Sequence, residues 1–428
     1  MPAPAPVPLA RWIDPELVHP LFADEAYAFW LDAGPDAGSG WSWVGRGVPA
    51  TLDEVRAVPV ARHAAPDHPA GPLREGWIGW MSYEAGARAA GAPVAAAAVP
   101  DPQWMRITEL VAFDHARRRV WAGGDDPRAL AHRLEDAPPP RPAVPLGDRG
   151  IRARARVSAA TYADRIRSCI EAIGRGDAYL LCLTTRFDVD GDVDPAAVHA
   201  GLRAASPSHH GALIRTGDTS LVSASPERFL HGADGRVRTH PIKGTRPRGT
   251  TAEEDERLAR ELAADPKERA ENVMIVDLMR NDLARVCDPA SVSVDRLLEV
   301  ETYPAVHQLV STVSGRANEG ATLGDLWDAA FPAGSMTGAP KLSAMTLLHA
   351  EEQLPRGAFS GCFGWVGADG CFDLAMTIRT VVTHPGGASV SAGGGITWSS
   401  RVAAEVAEVA LKASAPLRAL GASLPADW

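Results

Sequence analysis

The sequence predicts an α+β fold with antiparallel sheets, and three observations carry that reading. Ala212 to Ser223, Glu227 to Leu230 and Gly235 to His240 read as consecutive short strands, with turns at Gly217-Asp218 and Asp234-Gly235. A second strand series follows later, in Ala358 to Val366, Phe372 to Val382 and Ala388 to Gly393. Runs of helical repeat stand apart from these series, which is the α+β pattern and not the strand-helix alternation of a parallel sheet.

The elements follow in order. Gly76-Trp77-Ile78-Gly79-Trp80-Met81-Ser82-Tyr83-Glu84 is an aromatic-rich strand candidate. The proline run from Ala137 to Pro145 forms neither helix nor strand interior, so it predicts an extended surface connection. Tyr162, Ile166, Cys169, Ile170 and Ile173 recur at helical spacing, so a helix spans Thr161 to Ile173 and stops at Gly174. Proline suits the first position of a helix. Pro266 therefore opens a helix reaching about Val286, another opens at Pro340, and the last runs from about Val402 to Ala413.

Composition narrows the function. A chain of 428 residues, 46% hydrophobic and 22% charged, reads as an ordinary globular protein with room for a large core. A formal net charge of −10 argues against non-specific nucleic-acid binding and for a small-molecule site with local basic residues. The five cysteines contain no C-x-x-C pair, so neither a disulfide framework nor a zinc site is expected. The N-terminus lacks a signal-peptide pattern, and no run of 18 apolar residues is present. A cytoplasmic protein with no membrane partner is expected.

The residues with chemical potential begin at Pro241-Ile242-Lys243-Gly244-Thr245-Arg246-Pro247-Arg248-Gly249, read as a basic loop. A lysine amine becomes a nucleophile when its pKa is lowered, although most lysines are simply solvated. Glu268 and Glu271 lie three apart on one helix, and Glu405 and Glu408 three apart on another, with Lys412 four further on. Glu405, Glu408 and Lys412 fall within about 60° on the helical wheel. Each pair alone also reads as an ordinary exposed helix face; together they offer the hard oxygen ligands that suit Mg²⁺. Gly393-Gly394-Gly395, at the end of a strand, exposes backbone N–H groups that suit a carboxylate, or forms a flexible turn. Gly334-Ser335-Met336-Thr337-Gly338-Ala339-Pro340-Lys341 superficially suggests a phosphate loop, but its spacing is wrong. Arg379, among apolar strand residues, needs an anion. Glu227 is a candidate acid or a strand-end charge, and His307 a structural histidine more often than a catalytic one.

Read together, these segments resemble the chorismate-utilising enzymes. The matching pieces are Ser225 to Phe229, Pro241 to Gly249, Glu268 to Asp282, His307, Phe331 to Met345, Ile378 to Thr380, Gly393 to Ile396 and Glu405 to Lys412, all in family order. The resemblance implies one α/β sandwich of two facing antiparallel sheets with helices outside. Residues 1–145 would add strands to that same body, and residues 150–428 would form the catalytic region.

Within the family, Lys243 resembles aminodeoxychorismate synthase component I, where anthranilate synthases carry P-I-A-G-T. The implied role of Lys243 is a covalent nucleophile. Glu227 resembles the general acid and His307 a histidine on the reacting face. Glu271 and Glu408 resemble direct Mg²⁺ ligands, with Glu268 and Glu405 acting through water. Thr245, Arg379, Lys412 and the Gly393–Gly395 amides resemble the groups that hold the substrate carboxylates. No amidotransferase region with a nucleophile-elbow cysteine is visible, so ammonia is expected from a glutamine amidotransferase subunit in a heterodimer, or from solution. The product would feed folate, through p-aminobenzoate, or a secondary metabolite. The alternatives are anthranilate synthase component I and a non-catalytic amidotransferase partner. Leu180 and Trp398-Ser399-Ser400 depart from the common family pattern.

Overall fold

The computed structural model describes residues 4–35, 37–61, 68–96, 103–136, 141–303 and 306–428. Two antiparallel sheets organise the chain. The first contains β1 (Tyr27–Asp32), β2 (Trp41–Ala50), β4 (Gln103–Asp114), β5 (Arg119–Gly124), β6 (Leu180–Asp190), β7 (His210–Thr216), β8 (Thr219–Ser225), β16 (Thr380–His384) and β17 (Gly387–Ile396). The second contains β3 (Gly76–Met81), β9 (Arg228–Ala233), β10 (Arg236–Thr239), β11 (Ile242–Pro247), β12 (Ser293–Thr302), β13 (Val306–Arg316), β14 (Cys362–Gly367) and β15 (Phe372–Met376). In the first sheet the pairings run β6-β17-β16-β8-β7-β1-β2-β4-β5. In the second they run β3-β14-β15-β9-β10-β13-β12, with β11 beside β10 on the same edge of β13. The long strand β4 also pairs with β3 and so joins the two sheets. Strands from residues 27–124 are thus built into both sheets.

Alternation along the strands divides the core. Phe29, Trp43, Trp80, Met105, Ile214, Leu221 and Phe363 come from both sheets and pack in one cluster. A second cluster lies between the first sheet and its helices α2 (Pro127–Asp136), α3 (Ala159–Gly174), α4 (Pro195–Ala205) and α9 (Val402–Ala419), through residues such as Leu130, Ile166, Phe187, Val198, Val390, Val409 and Leu417. A third lies between the second sheet and the helices α6 (Pro266–Ala284) and α7 (Leu323–Ala330), through Ile275, Met279, Leu283, Trp327, Val313 and Leu374.

Several expectations need correction. Tyr83 and Glu84 belong not to the strand but to helix α1 (Tyr83–Ala89), which Ser82 caps by accepting from the Ala85 N–H. The single strand expected over Phe372 to Val382 is two strands in different sheets, because the chain crosses between sheets at residues 377–379. The last helix extends six residues beyond Ala413, burying Pro416, Leu417 and Ala419. Pro340 is the N-cap of helix α8 (Lys341–Glu352) and not its first residue. Helix α5 (Ala252–Ala264), largely exposed, was not foreseen; its signal is Thr251, which caps the Glu254 N–H. Arg141 to Pro145 is neither helix nor strand, while Ala137 to Pro140 lies outside the described residues. Among the described residues, no helix is long and apolar enough to cross a membrane.

Candidate active site

Lys243 lies on strand β11, where a loop was expected. The β11–β13 register shifts between Ile242 and Thr245, so this stretch bulges out of the ladder. Gly244 makes the bulge possible: its φ is +82°, and a Cβ there would come within 2.8 Å of Leu262 Cδ1. The bulge sends the Lys243 amine across to the first sheet. A Cβ built at Gly395 of β17 would stand 3.7 Å from Lys243 Nζ and 3.4 Å from Glu271 Oε2.

Electrostatics around this amine differ from the expectation of a lowered pKa. Burial does push it down, but Glu271, Cys182, Glu227 and Glu408 together leave it above its ordinary value. The amine is therefore protonated while these carboxylates stay charged.

The four glutamates project from two helices. The N-cap Asp265 accepts from the Lys267 and Glu268 N–H groups and so starts α6, which carries Glu268 and Glu271. Helix α9 carries Glu405 and Glu408. Lys267, which the sequence reading passed over, links the helices: its Nζ lies 3.0 Å from Glu405 Oε1 and 3.7 Å from Glu271 Oε1. Its i,i+4 relation to Glu271 was the available signal. Ser400 also donates to Glu405 Oε1, at 2.7 Å. Among the described residues, Glu271 Oε1 and Glu405 Oε2 are buried without a hydrogen-bond partner. Burial raises the Glu271 carboxyl, and burial followed by the charge of Asp265 raises Glu268. Glu408 differs: burial would raise it, but Lys412, 2.6 Å away, brings it below the ordinary range. Among the described residues, no three acidic, histidine or cysteine side chains stand close enough to hold a metal ion as arranged. The donor set is nevertheless all oxygen, and the two unpartnered buried oxygens fit a hard cation in chemical type.

Two sheet crossings lie side by side. Glu227 sits between β8 and β9, and its C=O accepts from Met376 N at 2.9 Å. Arg379 sits between β15 and β16 with φ +51°, its C=O accepting from Ala224 N at 3.2 Å. Burial raises the Glu227 carboxyl to about 7, against the opposing pull of Lys243, Ser335 and Lys412. Burial lowers the Arg379 guanidinium while Glu408 holds it up, and the structure gives its side chain no ion pair or hydrogen bond among the described residues. A half-buried guanidinium with no direct ion-pair partner is suited to an anion.

The remaining candidates divide. Lys412 donates to the Gly393 C=O at 3.0 Å. Gly393, Gly394 and Gly395 are not a turn after a strand; they are ladder residues of β17 opposite Thr184, Leu183 and Cys182 of β6. Their contribution at Gly394 and Gly395 is space, since a Cβ at Gly394 would meet Glu405 Oε2 at 3.4 Å. Thr245 is exposed on β11, outside the enclosed part of the site. His307, expected on the reacting face, is buried with Nδ1 2.9 Å from Thr302 Oγ1 and Nε2 2.9 Å from Asp255 Oδ1. Both ring nitrogens are thus already engaged with the protein. A cavity of about 660 Å³, lined by Trp41, Trp43, His209, His210, Arg228 and Asp373 among others, lies apart: neither Lys243 nor any of the four helix glutamates lines it.

Comparison with known proteins agrees with this architecture. A family profile described as chorismate binding enzyme matches residues 20–418. The chain is 39% identical to an aminodeoxychorismate synthase of Streptomyces pristinaespiralis over 81% of its length, but spans only 50% of that relative. It is 38% identical to anthranilate synthase component 1 of Streptomyces coelicolor, over 93% of this chain and 84% of that one. The crystal structure of anthranilate synthase component I from Streptococcus pneumoniae superimposes with a TM-score of 0.75 at 28% identity, covering 92% of both chains. The menaquinone-specific isochorismate synthase of Escherichia coli, at 18% identity, shares the fold with a TM-score of 0.74 over 97% of this chain and 93% of that one. With its motifs, its two-sheet fold and a family match over most of its length, the chain belongs to the chorismate-binding enzymes.

Proposed function

We propose that this chain is the chorismate-aminating component of an aminodeoxychorismate synthase, yielding 4-amino-4-deoxychorismate. The observation that carries the reading is the enclosed Lys243 amine, surrounded by Glu227, Glu271 and Glu408. Lys243 Nζ, having released its proton to water, attacks ring carbon 2, the conjugated double bonds shift, and the bond from carbon 4 to its hydroxyl oxygen breaks. Glu227, which burial keeps protonated up to about pH 7, gives its proton to the leaving hydroxyl, which departs as water. Ammonia then attacks carbon 4, the double bonds shift back, and Lys243 leaves as a free amine. The proton released by the new ammonium returns to Glu227. Two allylic substitutions thus replace one difficult substitution at a single carbon.

Arg379 and Lys412 would hold the substrate carboxylates. Glu271 and Glu408, with Glu268 and Glu405 behind them, would hold Mg²⁺, which when bound neutralises a substrate carboxylate and draws electron density from the ring. Any neutralisation of Glu271 and Glu408 lowers the Lys243 pKa, because those carboxylates help to hold it up. Ammonia would come from a glutamine amidotransferase.

The test is incubation with chorismate, Mg²⁺ and ammonium, with products identified by mass and chromatography. The expected product is 4-amino-4-deoxychorismate, with turnover abolished by EDTA. Anthranilate as the main product would establish instead the second reading, anthranilate synthase component I, which the 84% coverage of the Streptomyces coelicolor relative favours.

A further inference from the structure

The segment Gly334-Ser335-Met336-Thr337-Gly338, whose spacing excludes a phosphate loop, has no role in the reaction described above. The structure places it against Glu227. Ser335 Oγ donates to Glu227 Oε1 at 2.8 Å, across 108 positions of sequence, and both side chains are buried. The Glu227 carboxyl makes no other hydrogen bond among the described residues.

The hydroxyl is held by a rigid mount. Gly334 to Met336 forms one turn of 3₁₀ helix, and Thr337 Oγ1 donates back to the Ala333 C=O at 3.1 Å. The turn is wedged against α6, since a Cβ at Gly334 would come within 2.4 Å of Leu278 Cδ2. Behind it, the buried Arg356 donates from Nη1 to the Met336 C=O at 2.7 Å. Arg356 is itself fixed by Glu352, with 2.8 and 2.7 Å contacts from Nε and Nη2. A serine needing only to fill space would require no such support.

We propose that Ser335 is a positioning residue for Glu227: its hydroxyl occupies Oε1, so that the proton is carried on Oε2 and offered to the leaving group. The inference rests on the reading of Glu227 as the general acid. A hydroxyl bonded to one carboxyl oxygen fixes the plane of the group and leaves the second oxygen as the protonated one. The charged groups facing Glu227 are Lys243 on β11 and Lys412 on α9. Both favour the carboxylate, as does Ser335, so loss of the serine donor shifts the titration upward.

The experiment measures kcat, KM and the pH profile with chorismate and ammonium for wild type, Ser335→Ala, Ser335→Thr and Glu227→Gln. Ser335→Ala should lower kcat by about tenfold to a hundredfold with little change in KM, as misplacement of a reacting group does. Its alkaline limb should move to higher pH, and Ser335→Thr should recover most of the rate. A fully active Glu227→Gln protein would overturn the acid reading and this inference with it. An inactive Glu227→Gln beside a Ser335→Ala enzyme with unmoved kcat and limb would overturn the inference alone. Should Ser335→Ala fail to fold, Ser335→Cys, a weak donor of similar size, is read by the same measures.

Discussion

Gly395 and Lys243 come from opposite sheets, yet a methyl group at residue 395 would stand 3.7 Å from the Lys243 amine. The same methyl would stand 3.1 Å from Leu180 Cδ1, a side-chain end that must give by only a few tenths of an ångström. Gly395→Ala should therefore fold, with a melting temperature within a few degrees of wild type, while crowding the space between Lys243 and Glu271. Steady-state kinetics should show kcat/KM reduced by about a hundredfold, the scale of a 1 Å misplacement in a site. A variant with wild-type kinetics would mean that substrate does not enter between these two strands.

Lys243→Ala should keep the fold and lose the route to carbon 4. The space left near carbon 2 would admit ammonia or water, giving traces of carbon-2-substituted products. Lys243→Arg should not recover activity, because a guanidinium stays protonated and cannot attack. Intact-protein mass spectrometry after adding chorismate without ammonia should detect an adduct on wild type only. A fully active Lys243→Ala enzyme with no adduct on wild type would reduce Lys243 to a basic strand residue.

The Arg356–Glu352 pair should dominate a stability scan. Arg356 Nη2 also donates to the Cys182 C=O at 2.8 Å, so one guanidinium ties β6, α8 and the Ser335 turn together. Arg356→Ala leaves Glu352 buried with its charge uncompensated, a change that costs about 3–5 kcal/mol. Urea denaturation should report that loss. Glu352→Leu added to Arg356→Met should restore part of it, since a buried pair is not intrinsically stabilising.

Two buried histidines predict a pH dependence of stability. Burial, with the neighbouring charge of His199, holds His19 at about 3, and burial holds His199 at about 4; Trp30 packs against both rings. Folded pKa values below the unfolded 6.5 mean that the unfolded chain binds more protons in acid. Their stabilisation is fully present above pH 6.5 and falls as pH drops toward 4, by about 1.4 kcal/mol per pH unit for each group. Thermal melts from pH 7.5 to 4.5 should show the decline, and His199→Gln should flatten it. An unchanged slope in that variant would rule out His199 as a source.

Local pattern made the elements legible. The spacing of Tyr162, Ile166 and Cys169 marks α3, and Pro266 after Asp265 marks the start of α6, because period and capping act over one or two turns. The order of motifs, including Glu271 on α6 and Glu408 on α9, identified the family as well. Sheet membership was not legible: Phe372 to Val382 carries Asp373, Thr377, Arg379 and Thr380 among its apolar residues without a glycine or proline to mark a break, and nothing local says that the chain changes sheets at Thr377–Arg379. The basic character of Pro241–Gly249 hid a strand, since a bulge beside an edge carries no hydrophobic alternation.

Residue identity along the chain says which side chains can do chemistry, and packing sets what faces them. Ser335 meets Glu227 across 108 residues, Lys267 bridges to Glu405 across 138, and Asp255 takes one nitrogen of His307 while Thr302 takes the other. Helical and strand periodicity specifies which side of an element is buried, but not which other element covers it. Only the packing of two sheets against each other brings the Lys243 amine to Gly395, and the neighbours it meets there set its charge.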